Sequence, residues 1–269
     1  MFGISRLQEM VRLLRVMSLG VYLGTVLMAQ PTLRVTIQPS PHSKVSLTQP
    51  AGSSAVAFSK WMPSRGAGAS LLISNDSDQP IVAVSTLWTT IDADGKRQGK
   101  RQRIETIFTS QRPVVLAHSG ALLTPDTCIR LEDVSSIGGL GVPRTTTLPS
   151  LASAAELRIQ VDGILFGDGK MFGSDGPAYA DDIRYRMRAA GRLASSVRHA
   201  LARGGDRVSI ISGLAESAKD LPGPEAKWYR AFLGSLGSFG LRDDKLFEGY
   251  LKHLEAFTLS VPITVVPKE

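Results

Sequence analysis

Short apolar runs separated by turn residues as far as Phe172, a switch to helical periodicity after Pro177, and a basic-then-apolar opening segment together predict an exported chain that is mainly β with α. The strand spacing predicts an immunoglobulin-like antiparallel β-sandwich, followed by a C-terminal helical region. The boundaries read as a signal peptide over 1–29, the sandwich over 30–176, the helices over 177–260, and a tail or edge strand over 261–269.

Arg6, Arg12 and Arg15 precede an uncharged run from Val16 to Ala29, which is the pattern of a secretory signal. As a helix this run would reach about 21 Å, short of a hydrocarbon core roughly 30 Å thick. Cleavage after Ala29 is therefore expected, with a periplasmic or extracellular destination. Leu27 is larger than the small residue usual two positions before Ala29, so retention as a membrane anchor is the alternative. Losing the segment's three arginines and one glutamate lowers the net charge of +7 to +5. That balance permits contact with an anionic polymer or an envelope protein, and export argues against a nucleic-acid partner. Cys128 is the only cysteine, so no disulfide closes within the chain, and a small buried hydrophobe is its expected role.

The candidate strands are Leu33–Ile37, Ala55–Ser59, Ala69–Ser74, Ile81–Ile91, Arg103–Thr109, Val114–Leu116, Ala121–Thr124, Ile129–Glu132, Leu157–Val161 and Ile164–Phe166, all rich in residues that suit a pleated surface. Between them, 75–80, 92–95 and 167–169 carry Asn, Asp, Gly and Pro, which turn a chain through side-chain bonds or positive φ. The runs on either side of 75–80 are expected to lie together at the centre of the sandwich, with Trp88 packed between sheets. The basic run Lys96, Arg97, Lys100, Arg101 and Arg103 comes after the turn at Asp94-Gly95 and reads as a solvated hairpin tip. Residues 135–150, rich in Ser, Gly, Pro and Thr, read as a long loop that is either functional, as a lid or a binding loop, or mobile.

Ser174 or Asp175 can cap the first helix, Pro177 fits its start, and Asp181 and Asp182 complement its dipole. Ile183, Ala190, Ala194, Val197 and Leu201 fall on one face, while Arg184, Arg188, Arg192, Arg198 and His199 fall on the other. The alanine-rich apolar face packs inward and leaves the arginines to solvent. Gly204-Gly205 ends this helix, and further helices are expected over Arg207–Lys219, Glu225–Leu236 and Asp244–Phe257. The tail Val261–Val266 suits an edge strand.

No residue is assigned to catalysis, to a cofactor or to a metal. Asp162, Asp168 and Asp175 on glycine-rich turns could hold a hard cation, but Asp168-Gly169 is a hairpin signal and the EF-hand spacing is absent. The stretch 92–95 fails the same test, because Arg103 stands where a calcium loop has its last glutamate. His118 and Cys128 could meet across a hairpin as a reactive pair, although no third orienting group is marked. His42, His118, His199 and His253 have no zinc spacing, and no nucleophile elbow or phosphate loop is present.

Asp162-Gly163, Phe166, Asp168-Gly169, Gly173 and Asp175, followed by a charged helix, resemble uncharacterised exported proteins of environmental bacteria in which an immunoglobulin-like part precedes a helical tail. The resemblance implies export and this layout; it implies no activity. The expected function is a non-catalytic binding or structural module of the cell envelope. The rival is an exported hydrolase with its site between sandwich and helices, which would require Asp162, Asp168, Asp175, His118 or Cys128 to converge in one concavity.

Overall fold

The computed structural model describes residues 33–52, 69–107, 112–125, 128–130, 151, 153–240, 243–256 and 262–267. The expected signal segment 1–29, the candidate strand Ala55–Ser59 and the stretch 135–150 expected to form a loop lie outside them. Contacts divide the chain into residues 1–34 and 35–269, and the sheets and helices belong to the second unit apart from Arg34 at the start of the first strand.

The protein is mainly β with α. The strands are β1 (Arg34–Ile37), β2 (Val45–Thr48), β3 (Leu71–Asn75), β4 (Ile81–Asp92), β5 (Arg97–Glu105), β6 (Ser119–Leu123), β7 (Cys128–Arg130), β8 (Ala154–Phe166), β9 (Lys170–Phe172) and β10 (Thr264–Val265). One sheet runs β10-β9-β8-β4-β5, with β1 also on β8, and the other runs β2-β3-β6-β7. β4 occupies one edge of β8 along its length, so β1 and β9 share the other edge: the Gln38 amide donates to the Ile159 carbonyl, and Leu165 pairs with Met171. The pairing is not antiparallel throughout, because the tail strand β10 joins β9 in parallel, with Thr264 N–H on the Gly169 carbonyl and Val266 N–H on that of Met171.

Two sequence expectations change here. The runs flanking 75–80 do not pair with each other, since β3 belongs to one sheet and β4 to the other. The turn carries the chain between sheets, and Asn75 braces it by donating to the carbonyls of Gln79 (2.8 Å) and Leu116 (3.0 Å). The basic run is a hairpin tip only at its start, where Lys96 and Arg97 are exposed beside the turn; Lys100, Arg101 and Arg103 lie within a strand. After Asp92 accepts the amides of Asp94 and Lys96, the chain enters β5 at once and pairs with β4 from Arg97 to Glu105. A strand with one solvent edge tolerates charge, which an apolarity criterion does not register.

β8 runs unbroken through Asp162-Gly163, where the sequence suggests a break. Ser85 pairs with Gly163 and Thr86 with Val161, so Asp162 is the extra residue of a β-bulge. Beyond it the chain reverses at Asp168-Gly169, as expected, with Gly169 at φ +86°. The Asp175 amide then donates to the Asp162 carbonyl (2.8 Å) just before the helix α1 (Gly176–Ala202).

Val265, Met171, Leu165, Ala83 and Glu105 are successive cross-strand partners. Ala83, Leu165 and Met171 join one core with Tyr179, Ile183, Ala190, Leu193 and Val197 of α1. Gly163 lets the helix come close, because a Cβ there would lie 3.1 Å from Ser85 Cβ and 3.5 Å from the Tyr179 ring. α2 (Arg207–Ala218), α3 (Gly223–Gly240) and α4 (Asp244–Glu255) complete that core with Ile210, Leu233, Leu236, Phe247, Leu251 and Leu254. Asp206 and Asp243 cap α2 and α4 through their carboxylates. Trp88 is fully buried, its indole N–H donating to Thr86 Oγ1 (3.0 Å) and Gln102 Oε1 (3.2 Å).

Gly173 is the tightest point. It sits at φ +106°, and a Cβ on it would lie 2.3 Å from the Asp162 carbonyl oxygen. Gly173→Ala is therefore expected to cost about 2 kcal/mol or more, from backbone strain and the displaced Asp162 contact, measured by urea denaturation.

Candidate functional site

Alternation along β5 places Arg101, Arg103 and Glu105 on the face that α1 covers. Asp162 alternates onto the same face after Arg158 and Gln160, the bulge keeps Gly163 on it as well, and α1 brings Asp175, Tyr179, Asp182 and Arg186. Arg101 reaches Asp162 (2.6 Å) and Asp175 (3.1 Å), and Arg103 forks onto both oxygens of Asp175 (2.9 and 3.1 Å). Asp175 also accepts from Ser85 Oγ (2.8 Å). Its side chain makes no cap bond to the helix it precedes, contrary to the sequence expectation, because these donors already occupy it.

Next along the helix, Arg186 bridges Glu105 and Asp182 and lies 4.0 Å over the Trp228 ring, whose N–H donates to Asp182 (2.9 Å). Burial and the nearby Arg103 push the Arg186 pKa down to about 10, which still leaves it charged at neutral pH. Tyr179 donates to Glu105 (2.8 Å), and burial raises its pKa so that it stays neutral. Asp162 Oδ1 is buried without a partner. Four carboxylates here face three guanidiniums. Asp181 and Asp182 thus act as ion-pair partners, Asp181 of Arg184 and Asp182 of Arg186, instead of as dipole complements in the first turn.

Among the described residues a concavity lies on the other side of the β8–β9 edge. His42, in the segment between β1 and β2, packs against Phe166 (4.9 Å between centroids) and edge-on to Phe172 (4.6 Å). One cavity of about 340 Å³ is lined by His42, Lys44, Asp78, Phe166, Asp168 and Lys170 among others, and a second of the same volume continues past His42 along Pro41, Phe172, Val266 and Pro267. Asp168 is paired with Lys170 (2.8 Å), and exposed Asp78 meets His118 Nε2 at 3.0 Å. His42 Nδ1 accepts the Lys44 amide (3.2 Å), which fixes the neutral ring with its proton on Nε2. Burial, then the Lys44 ammonium, hold the His42 pKa below its ordinary value of 6.5, against a weaker pull from Asp168.

The residues singled out in the sequence are dispersed. Asp162 and Asp175 meet, but in the ion cluster; Asp168 lines the cleft; His118, in a left-handed turn at φ +52°, stands at its rim beside Asp78. His118 precedes β6 while Cys128 pairs with Leu123 at the far end of that strand, so five residues of extended chain, roughly 16 Å, separate them. No reactive pair forms across that hairpin. Among the described residues no group of His, Cys, Asp and Glu is placed to hold a metal ion. The basic helix face is exposed at Arg188, Arg192 and His199, as expected, and its arginines also meet carboxylates: Arg188 and Arg192 approach Glu225, and Arg198 chelates Glu248 and Glu255, which raises the arginine's pKa and lowers those of both glutamates. The cleft itself escapes sequence reading. His42 stands 124 and 130 residues from its two phenylalanines, and only the sharing of one β8 edge by β1 and β9 unites them.

Comparison of the chain with models of known families, with curated proteins and with solved structures finds no match.

The two buried aspartates are expected to respond unequally to neutralisation. Asp175→Asn takes the opposite charge from the Arg103 fork, leaving it only Asp182 at 3.7 Å, and should cost about 3 kcal/mol, whereas Asp162→Asn removes the excess negative charge and should cost clearly less; urea midpoints of the two variants test the order. For His42, the unfolded chain takes up its proton first as pH falls, so this group's contribution is complete above about pH 6.5 and is lost as pH falls through 6.5 toward the lower folded value. The melting temperature of the native protein minus that of His42→Asn should decline as pH is lowered through this window, and a flat difference would contradict it.

Proposed function

We propose that the chain is an exported, non-catalytic binding module of the cell envelope, directed there by residues 1–29, and that its ligand enters the cleft at His42. The single observation that supports the binding role is the form of that cleft: apolar walls from Phe166 and Phe172 beside a few polar groups, the arrangement that small-molecule sites adopt. A neutral histidine with a free Nε2–H and the Lys44 ammonium supply donors, while Asp168 and Asp78 are engaged by Lys170 and His118. An immunoglobulin-like packing of the two sheets belongs to the same proposal, as does an envelope protein or anionic polymer as partner. A scaffold of that kind hosts many ligands, so the site and not the fold must name this one.

The test has two parts. Fractionation of expressing cells with intact-mass analysis should recover a soluble envelope form beginning at Gln30, and a full-length cytoplasmic form would refute export. In solution, NMR titration with mixtures of sugars, amino acids and carboxylates should move the His42 and Phe172 resonances while leaving Val197, deep in the helical core, unchanged; shifts scattered over the surface, or none at all, would refute a binding site in the cleft.

A further inference from the structure

Among the described residues β5 ends its sheet, and its ladder with β4 sets the direction of its backbone groups. Asp92 N–H donates to the Lys96 carbonyl at one end of the β4–β5 pair, and Thr106 N–H donates to that of Val82 at the other. In an antiparallel pair, bonded and non-bonded residue pairs alternate, so Gln98, Lys100, Gln102 and Ile104 exchange bonds with β4. The N–H and C=O groups of Arg97, Gly99, Arg101 and Arg103 therefore point away from the sheet. Arg97, Gln98, Gly99 and Arg101 are exposed, and the β4–β5 register runs from end to end without a bulge. A long, regular edge of this kind is a template for another strand.

Charge selects which strand. Lys96, Arg97, Lys100, Arg101 and Arg103 set five cations in eight residues, so a second copy of the same edge, laid against it, would oppose cation to cation. Arg103 and Arg101 are held from within by Asp175 and Asp162, which fixes their stems upright beside the edge, while Arg97 projects at the exposed end. Gly99 leaves open space between Arg97 and Arg101, with only Leu87 and Thr89 near an added Cβ.

We propose that β5 receives an extended acidic segment of another polypeptide, which adds to the sheet as a strand and sets Asp or Glu opposite Arg97 and Arg101. Backbone bonds supply the pairing and charge supplies the choice of partner. A polyanion without amide groups would use the charge and ignore the outward backbone, so the two kinds of recognition separate experimentally.

The probe is a fluorescent nine-residue peptide alternating Glu and Val, titrated by anisotropy into the full chain at low salt. Saturable binding is expected, with no binding of the Lys/Val counterpart. Arg97→Glu should weaken it about tenfold or more. Gly99→Pro removes an outward N–H without touching the bonds to β4, and it should weaken binding comparably with an unchanged melting temperature. Methylating the peptide nitrogens that face β5 should abolish binding. Equal binding of the methylated peptide, insensitivity to Gly99→Pro in a folded variant, or absence of saturable binding would each overturn strand addition.

Discussion

The bulge at Asp162 is the constraint on which the rest of the molecule depends. Alternation from Arg158 and Gln160 sets that carboxylate on the helical face, toward Arg101; the one extra residue in β8 brings Gly163 and Leu165 onto the same face, and the Asp162 carbonyl accepts the Asp175 amide. The chain then passes through Gly173, pressed against the same carbonyl, and enters α1 at a fixed position over Ala83, Leu165 and Met171. β5, β8 and α1 are distant in sequence, and this corner ties all three. Its buried charges are costly to desolvate, so the corner makes a greater contribution to orientation than to net stability: an apolar contact could bury as much surface but would not dictate where the helix starts.

Charge is partitioned by register. Along β5 the odd-numbered cations turn to the helical face, where Asp162 and Asp175 bind Arg101 and Arg103, and the same residues turn their backbone groups outward. Along α1 the arginines opposite the apolar face meet Glu225, Glu248 and Glu255 of the later helices, so a run that is basic in sequence becomes a row of interhelical pairs. Those pairs are half-exposed and individually weak, yet they fix which faces of α3 and α4 turn toward α1. The helical core also runs across residue 176 into the sheet, so the change of secondary structure there is not a break in packing.

How much of the fold is legible in the sequence depends on how local the determining interactions are. The helices lie within a few residues of their expected positions because caps and periodicity act over one or two turns: Asp206 and Asp243 are local signals. The reversals at Asp94-Gly95 and Asp168-Gly169 are legible for the same reason. The first half of β5 is not, because its start is written in arginine and lysine and its pairing comes from β4. β9 is three residues long, and β2 is a four-residue strand, Val45–Thr48, too short for alternation to stand out. The destination of β3 and β4 in different sheets depends on Asn75 bonding Leu116, a contact 41 residues away. The stretch from Asp162 to Asp175 is distinctive in sequence, yet its carboxylates suggest a cation, since nothing local announces that arginines from another strand arrive between them.

The cleft and the ion cluster show how one strand edge serves two opposite electrostatic regimes. On the helical face of the β8–β9 hairpin, charge is paired: Arg186, whose pKa burial and Arg103 lower, stays charged at neutral pH and faces Glu105 and Asp182. On the other face charge is discharged: His42, set against two phenylalanines with Lys44 beside it, is held neutral and presents a single N–H. A neutral donor among apolar walls can give its hydrogen bond to an incoming group without first losing a counter-ion, and the adjacent Asp168–Lys170 pair keeps the local field low. The same hairpin therefore offers a rigid, desolvated surface to the helices and a less committed one to the opposite side.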